Sequence, residues 1–293
     1  MTQSPRPILL ESPSGLTAAI NANGSVRRIG YRDWVLNLFP GNELEGGPAN
    51  LYLRRVPGGG FVPLLGPGSP SAFTVDDAGF VGRGEWQGLR FSVRLVLAAV
   101  PAWFWRVTLE NTGPAAVTVD LIHAQDLALA PYGAIRMNEY YVSQYLDHAP
   151  LEHPQHGVVV ATRQNQAVSG KTPWCVIGSL HRGVSFATDA LQVTGLSGRE
   201  TGIPAGITQG LPGQRLQHEH AMAAIQDAPL TLEPGAIAER GFFGWLEADH
   251  PAATSASDLG FVELALALPE RSAPLPHLAT PGSPPARSLF TTA

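Results

Sequence analysis

The densest run of side chains able to grip a polar ligand is Tyr132-Gly133-Ala134-Ile135-Arg136-Met137-Asn138-Glu139-Tyr140-Tyr141-Val142-Ser143-Gln144-Tyr145-Leu146-Asp147-His148. Tyrosine rings offer flat apolar faces to the C–H side of a pyranose, while planar amides and carboxylates bond its hydroxyls. The candidate sugar contacts are therefore Arg136, Asn138, Glu139, Tyr140, Tyr141, Gln144 and Tyr145. The same residues also suit a crossing loop whose tyrosine hydroxyls satisfy buried backbone groups, and the sequence leaves both readings open. Neither the period of a strand nor that of a helix fits the run, so an irregular loop is expected.

Other polar groupings are weaker. Arg163-Gln164-Asn165-Gln166 with Lys171 could add hydroxyl contacts, although a hydrogen-bonded hairpin end explains them more simply. His218-Glu219-His220 puts two imidazoles on one face of a strand, but no third ligand stands at a metal-site spacing, which favours a solvent-facing strand. His148, His153 and His156 cluster irregularly near Glu152, which a turn-rich polar surface explains as well as a ligand set does. Gly58-Gly59-Gly60 lacks the strand-loop-helix setting of a phosphate loop and reads as a turn. No nucleophile elbow or dinucleotide fingerprint occurs.

The elements that would position these groups are strands. Phe91, Val93, Leu95 and Leu97 alternate with Arg90, Ser92 and Arg94, the pattern of a half-buried strand. Trp105, Val107 and Leu109 alternate in the same way. Asn111-Thr112-Gly113-Pro114 then turns the chain into Val117, Val119 and Leu121, which predicts a hairpin. Similar runs fall at residues 15–20, 26–31, 72–75, 157–162, 174–180, 216–225 and 238–246. With no helical stretches between them, these imply an antiparallel two-sheet sandwich rather than alternating strands and helices. Phe91, Val93, Leu95, Trp105, Val107 and Leu109 are expected to face its core. One helix is predicted over residues 255–268, where Leu259, Val262 and Leu266 recur behind Ser257 and Asp258 as caps. Residues 269–287 carry Pro274, Pro276, Pro281, Pro284 and Pro285 and read as an extended linker leading to a further segment.

The chain has 293 residues, 44% hydrophobic and 15% charged, enough to bury a sizeable core. Its formal net charge of -5 supplies no basic stripe, which argues against nucleic acid and suits a neutral sugar. The longest apolar stretch, residues 93–105, is interrupted by Pro101, and no segment has the length and character of a membrane span or secretory signal. Cys175, the single cysteine, cannot form an internal disulfide and reads as a buried thiol, so a cytoplasmic protein is expected.

Two further runs carry a family likeness. Trp86-Gln87-Gly88-Leu89-Arg90-Phe91-Ser92-Val93-Arg94 and Phe104-Trp105-Arg106-Val107-Thr108-Leu109-Glu110-Asn111-Thr112-Gly113 resemble the N-terminal sandwich of glycoside hydrolase family 94. That family groups cellobiose phosphorylases with cyclic β-1,2-glucan synthases. Residues 138–148, with 163–166, are similar to its 1,2-β-oligoglucan phosphorylase branch. The resemblance spans most of residues 8–250. It implies a large antiparallel β-supersandwich of galactose-mutarotase type over residues 1–250, then a helical segment and linker over 251–293 leading to an (α/α) barrel. In such an enzyme a barrel carboxylic acid protonates the glycosidic oxygen while inorganic phosphate attacks the anomeric carbon, giving α-glucose 1-phosphate without metal or cofactor. No catalytic residue carries over to this chain, which alone is expected to be inactive. The resemblance also implies a β-glucan oligosaccharide and the barrel as partners, a possible homodimer, and a role for the Tyr132–His148 loop at the border of the active site. A free-standing carbohydrate-binding module and a mutarotase-like enzyme remain as alternatives, although the His and carboxylate of the latter are not identifiable.

Overall fold

The computed structural model describes residues 7–76, 79–217, 220–272 and 278. Fourteen strands form one continuous ladder that folds over into two facing layers. One layer runs Phe61–Pro63, Asn50–Arg55, Val117–Asp126, Ala221–Asp227 and Gly183–Asp189, with Leu230–Leu232 beside its third strand. The other runs Leu146–His153, Gly157–Gln164, Trp174–Ser179, Ile237–Glu247, Ala102–Asn111, Leu89–Leu97, Gly79–Trp86 and Ala72–Asp76. The layers join where Gly157 and Gly183 pair in parallel; the other pairings between these strands are antiparallel.

Alternation drives this arrangement. Phe91, Val93, Leu95, Trp105, Val107 and Leu109 are all buried in one cluster with Leu51, Leu53, Val119, Leu121 and Ile225 of the opposite layer. Each such large side chain contributes about 1.5 to 3 kcal/mol by leaving water. Close approach matters too: a Cβ on Gly244 would lie 2.1 Å from Trp103 Cζ2, so only glycine lets the indole lie across that strand.

Three expectations are corrected. The run 105–109 does not form a hairpin with 117–121. Strand Ala102–Asn111 pairs with Leu89–Leu97 and Ile237–Glu247, whereas Val117–Asp126 belongs to the other layer, so the turn at 111–114 is a crossing between sheets. Asn111 fixes that crossing, its side-chain amide donating to the carbonyls of Ala115 and Leu232, 2.8 and 2.9 Å away. Next, Leu89–Leu97 is not half-buried: Ser92 and Arg94 are also covered, Arg94 pairing with Asp76 at 2.5 Å. Finally, the two layers are joined by a third, five-stranded sheet of Ile8–Glu11, Leu16–Ile20, Val26–Tyr31, Trp34–Val35 and Ala130–Pro131, whose Leu16, Ala18, Ile20, Val26 and Ile29 extend the same core.

Among the described residues six short helices decorate the strands: α1 Tyr132–Met137, α2 Glu139–Gln144, α3 Ala190–Thr194, α4 Gly198–Thr201, α5 Ala205–Gln209 and α6 Leu259–Leu266. Helix α6 follows a 3-10 turn at Ala256–Asp258, inside the predicted 255–268 span. It packs Val262, Ala265 and Leu266 on the outer face of the larger layer beside Trp174, Val176 and Phe243. Of the expected linker, Pro269–Ser272 forms a 3-10 turn; residues 273–277 and 279–287 lie outside the described residues. None of the described helices is long and apolar enough to cross a membrane.

Candidate functional site

The run 132–148 is not an irregular loop. It forms α1 and α2, which share Asn138 as the C-cap of one and the N-cap of the other, followed by the strand Leu146–His153. Asn138 suits this position because its side-chain oxygen accepts a hydrogen bond from the Tyr141 amide at 3.0 Å. Ile135 and Val142 anchor the two helices on Val35, Leu38, Ala128 and Ala130. Two polar ties hold α2 further: Ser143 Oγ accepts from the Ala221 amide at 2.8 Å, and buried Gln164 donates to the carbonyls of Ala128 and Val142 at 3.0 and 3.3 Å.

Anchoring Val142 and Ser143 inward turns Tyr140, Tyr141, Gln144 and Tyr145 outward, as a helical spacing of four requires. Tyr141 and Tyr145 meet edge to face, ring centres 5.0 Å apart, and the Tyr145 hydroxyl donates to that of Tyr141 at 2.9 Å. That hydrogen bond raises the Tyr145 phenol above its ordinary pKa. Tyr140 leans on Phe39, ring centres 6.2 Å apart, and Phe39 in turn packs against His220 at 4.7 Å. Glu139 occupies the first turn of α2, half-buried. The structure thus gathers Glu139, Tyr140, Tyr141, Gln144 and Tyr145 on one short helix and its end. Asn138 braces them from the cap, and Arg136 lies exposed in the last turn of α1.

Residues far away in sequence complete this edge. Arg215 donates to Asp147 at 2.6 Å, and the Gln217 side-chain amide donates to the backbone carbonyls of Gln144 and Leu146 at 3.2 and 2.9 Å. Arg215 also lines a cleft of about 300 Å³ with Gly206, Gln209, Gly210, Pro212 and Gln214. The cleft floor is held from below. Buried Arg54 grips Asp120 with two donors at 2.6 and 2.5 Å and gives a third hydrogen bond to the Ile207 carbonyl at 2.8 Å. Gln226 donates to Asp120 and accepts from the Leu211 amide, at 2.8 and 2.9 Å. No motif in residues 190–216 announces this cleft; its short helices and glycines read as loop until the strands beneath them are in place.

The remaining candidates serve the scaffold. Arg163 and Gln164 end a strand before the turn at Val168 and Lys171, a hairpin end as expected, and Arg163 bonds the carbonyls of His250 and Pro251. The cluster His148, His153 and His156 is not a polar surface. His148 and His153 belong to the strand Leu146–His153, buried, one bonded to Thr162 at 2.9 Å and the other to Glu263 of α6 at 2.8 Å. Burial, helped by the Arg215 charge, pushes the His148 pKa down to about 3. His218 and Glu219 lie outside the described residues; His220 precedes the strand Ala221–Asp227 and is mostly enclosed, so it is no solvent-facing strand residue, and its pKa falls to about 4 by desolvation. Cys175 is buried, which raises its thiol pKa strongly.

Against known proteins, residues 19–244 match the SOGP N-terminal domain family. A 1,2-beta-oligoglucan phosphorylase from Listeria innocua is 30% identical over 252 residues, covering 85% of this chain and 22% of the relative, so the chain spans about a fifth of that protein's length. Among solved structures, a polysaccharide lyase superposes with TM-score 0.50 at 8% identity, over 85% of this chain and 33% of that one. A galactose mutarotase related enzyme from Lactobacillus acidophilus superposes with TM-score 0.49 at 10% identity, over 85% and 100% of the two chains. At such identities the likeness concerns fold alone.

Proposed function

Because the chain belongs to the SOGP N-terminal domain family, we propose that it is the non-catalytic N-terminal part of an inverting glycoside phosphorylase of the family 94 type. That enzyme would cleave β-1,2-glucooligosaccharides with inorganic phosphate to give α-glucose 1-phosphate. An (α/α) barrel supplies the acid, the assembly is a homodimer, and the setting is the cytoplasm. In this reading Arg136, Asn138, Glu139, Tyr140, Tyr141, Gln144 and Tyr145 border the sugar site.

The observation that carries the reading is the Tyr141–Tyr145 pair, 46% and 36% exposed on a helix whose inward residues are fully tied down. A bracing loop would turn its aromatic rings inward; this one presents them rigidly to the outside, with a planar amide from Gln144 alongside. Rings held in place lose little freedom on stacking against a sugar, and they exclude water from the bond to be cleaved. The test uses the longer enzyme that joins this domain to its barrel. Tyr141→Ala and Glu139→Ala are expected to lower kcat/KM for β-1,2-glucooligosaccharides by about tenfold, the scale of one stacking or hydrogen-bond contact. Their melting temperatures should stay near wild type. Early melting with unchanged kinetics would instead make the helix a brace.

A further inference from the structure

We propose that the cleft between α5 and residues 212–216 is a second pyranose subsite, taking another glucosyl unit of the oligosaccharide that stacks on Tyr141 and Tyr145. The inference rests on the sugar-site reading above and adds a location to it.

Four features point to a neutral sugar. The volume, about 300 Å³, suits a single ring with its water rather than a large apolar ligand. Gln209 and Gln214 hang at the rim with their side-chain amides exposed, ready to give and accept hydrogen bonds as adjacent hydroxyls require. Charge is offset: among the described residues lining the cleft the one charged group, Arg215, is paired with Asp147 at 2.6 Å, which weakens its pull on an anion. And the floor is bare backbone by necessity. A Cβ on Gly206 would fall 2.2 Å from the Gln192 carbonyl, and Gly210 has φ +100°, so neither accepts a side chain that would fill the space.

The floor is also preorganised. Arg54, Asp120 and Gln226 clamp the backbone at Ile207 and Leu211 from the sheet below, so the cleft does not have to be ordered by its ligand. Its link to the tyrosines is one side chain long. Arg215 reaches from the cleft wall to Asp147, two residues beyond Tyr145, and Gln217 holds the Gln144 and Leu146 carbonyls from the same segment. A glucan chain that stacks on the tyrosines would reach the cleft by passing Arg215.

The experiment is a titration of the 293-residue chain, followed by backbone amide NMR, with sophorose as probe and glycerol and inorganic phosphate as comparisons. Sophorose should shift the amides of residues 205–216 saturably together with those of 139–145. The double variant Gln209→Ala/Gln214→Ala, whose unperturbed amide pattern reports that it folds, should weaken the shifts at 205–216 by about tenfold in apparent Kd, as expected for two lost hydrogen bonds. Shifts confined to 139–145 would overturn the second subsite and leave the sugar-site reading intact. Shifts at neither segment would overturn both. Equal shifts at 205–216 with glycerol or phosphate would refute the cleft's assignment to a sugar.

Discussion

His123 stands where the alternation of Val119 and Leu121 carries it into the sandwich interior. Its ring lies 5.3 Å from that of Phe242, and its Nδ1 is buried without a hydrogen-bond partner. Desolvation pushes its pKa down to about 3, so the native protein keeps the ring neutral while the unfolded chain takes up a proton below about pH 6.5. Its share of stability is therefore intact above pH 6.5 and is lost progressively as pH falls towards 3. At full extent this amounts to on the order of a few kcal/mol. His148, lowered to about 3, and His181 and His220, lowered to about 4, pull the same way. Asp126 opposes them. Burial raises its carboxyl to about 6 although the Leu38 and Phe39 amides and Asn37 all donate to it, so its protonation between pH 6 and 4 favours the native state. His156, also lowered by burial, acts with the histidines and Asp227, also raised by burial, acts with Asp126; five histidines outweigh two carboxylates. Stability in urea should fall between pH 6.5 and 4.5, and His123→Leu should make that fall shallower while leaving the pH 7 midpoint within about 1 kcal/mol of wild type or above it, since an unpartnered buried nitrogen is removed. An unchanged slope in the variant would mean that the ring is hydrated in the native state. The row Val117, Val119, Leu121 was legible in the sequence; its continuation through His123 and Gln125 was not, because their polarity hides an inward position.

At the scale of elements, strands were readable wherever apolar residues alternate over five or more positions, as in Leu89–Leu97 and Ala102–Asn111. Helices α1 and α2 were not. Six residues make fewer than two turns, too few to show a 3.6-residue period, and the paired tyrosines at 140 and 141 break any alternation as well. The crossing at 111–114 was misread for a related reason: a turn sequence reports that the chain reverses, not which sheet receives it. What specifies α2 is its cap. Asn138→Ala removes the acceptor for the Tyr141 amide and should cost about 1 kcal/mol in urea denaturation, whereas Asn138→Asp, which keeps an oxygen there, should cost a few tenths. On the proposed sugar-site reading, Asn138 acts through Tyr141 as a positioning residue. In the proposed full-length enzyme Asn138→Ala should raise KM more than it lowers kcat, with rescue by Asn138→Asp; equal stability losses in the two variants would show that the cap is not what orders the helix.

Across the whole molecule, the polar groups with strongly shifted pKa values are spent on structure. Phosphorolysis needs a carboxylic acid near the leaving oxygen with its proton retained at neutral pH. Asp126 and Asp227 are two carboxyls raised above their ordinary range, chiefly by burial. Neither opens on a cleft able to admit a sugar. Asp126 faces the amides of Leu38 and Phe39, while Asp227 accepts from Ser179 Oγ at 2.7 Å and pairs with Arg240 at 3.3 Å. Glu139 and Asp147, the carboxylates beside the tyrosines, stand where water reaches them, and Asp147 is paired with Arg215. In the proposed reading this domain helps to orient a glucan and the barrel, not this domain, delivers the proton. On that reading the pure chain, incubated with sophorotriose and inorganic phosphate, should release no glucose 1-phosphate above the uncatalysed level. Adding Glu139→Gln to the comparison makes the result decisive, because turnover by the chain that disappears in this variant would move the acid from the barrel to α2.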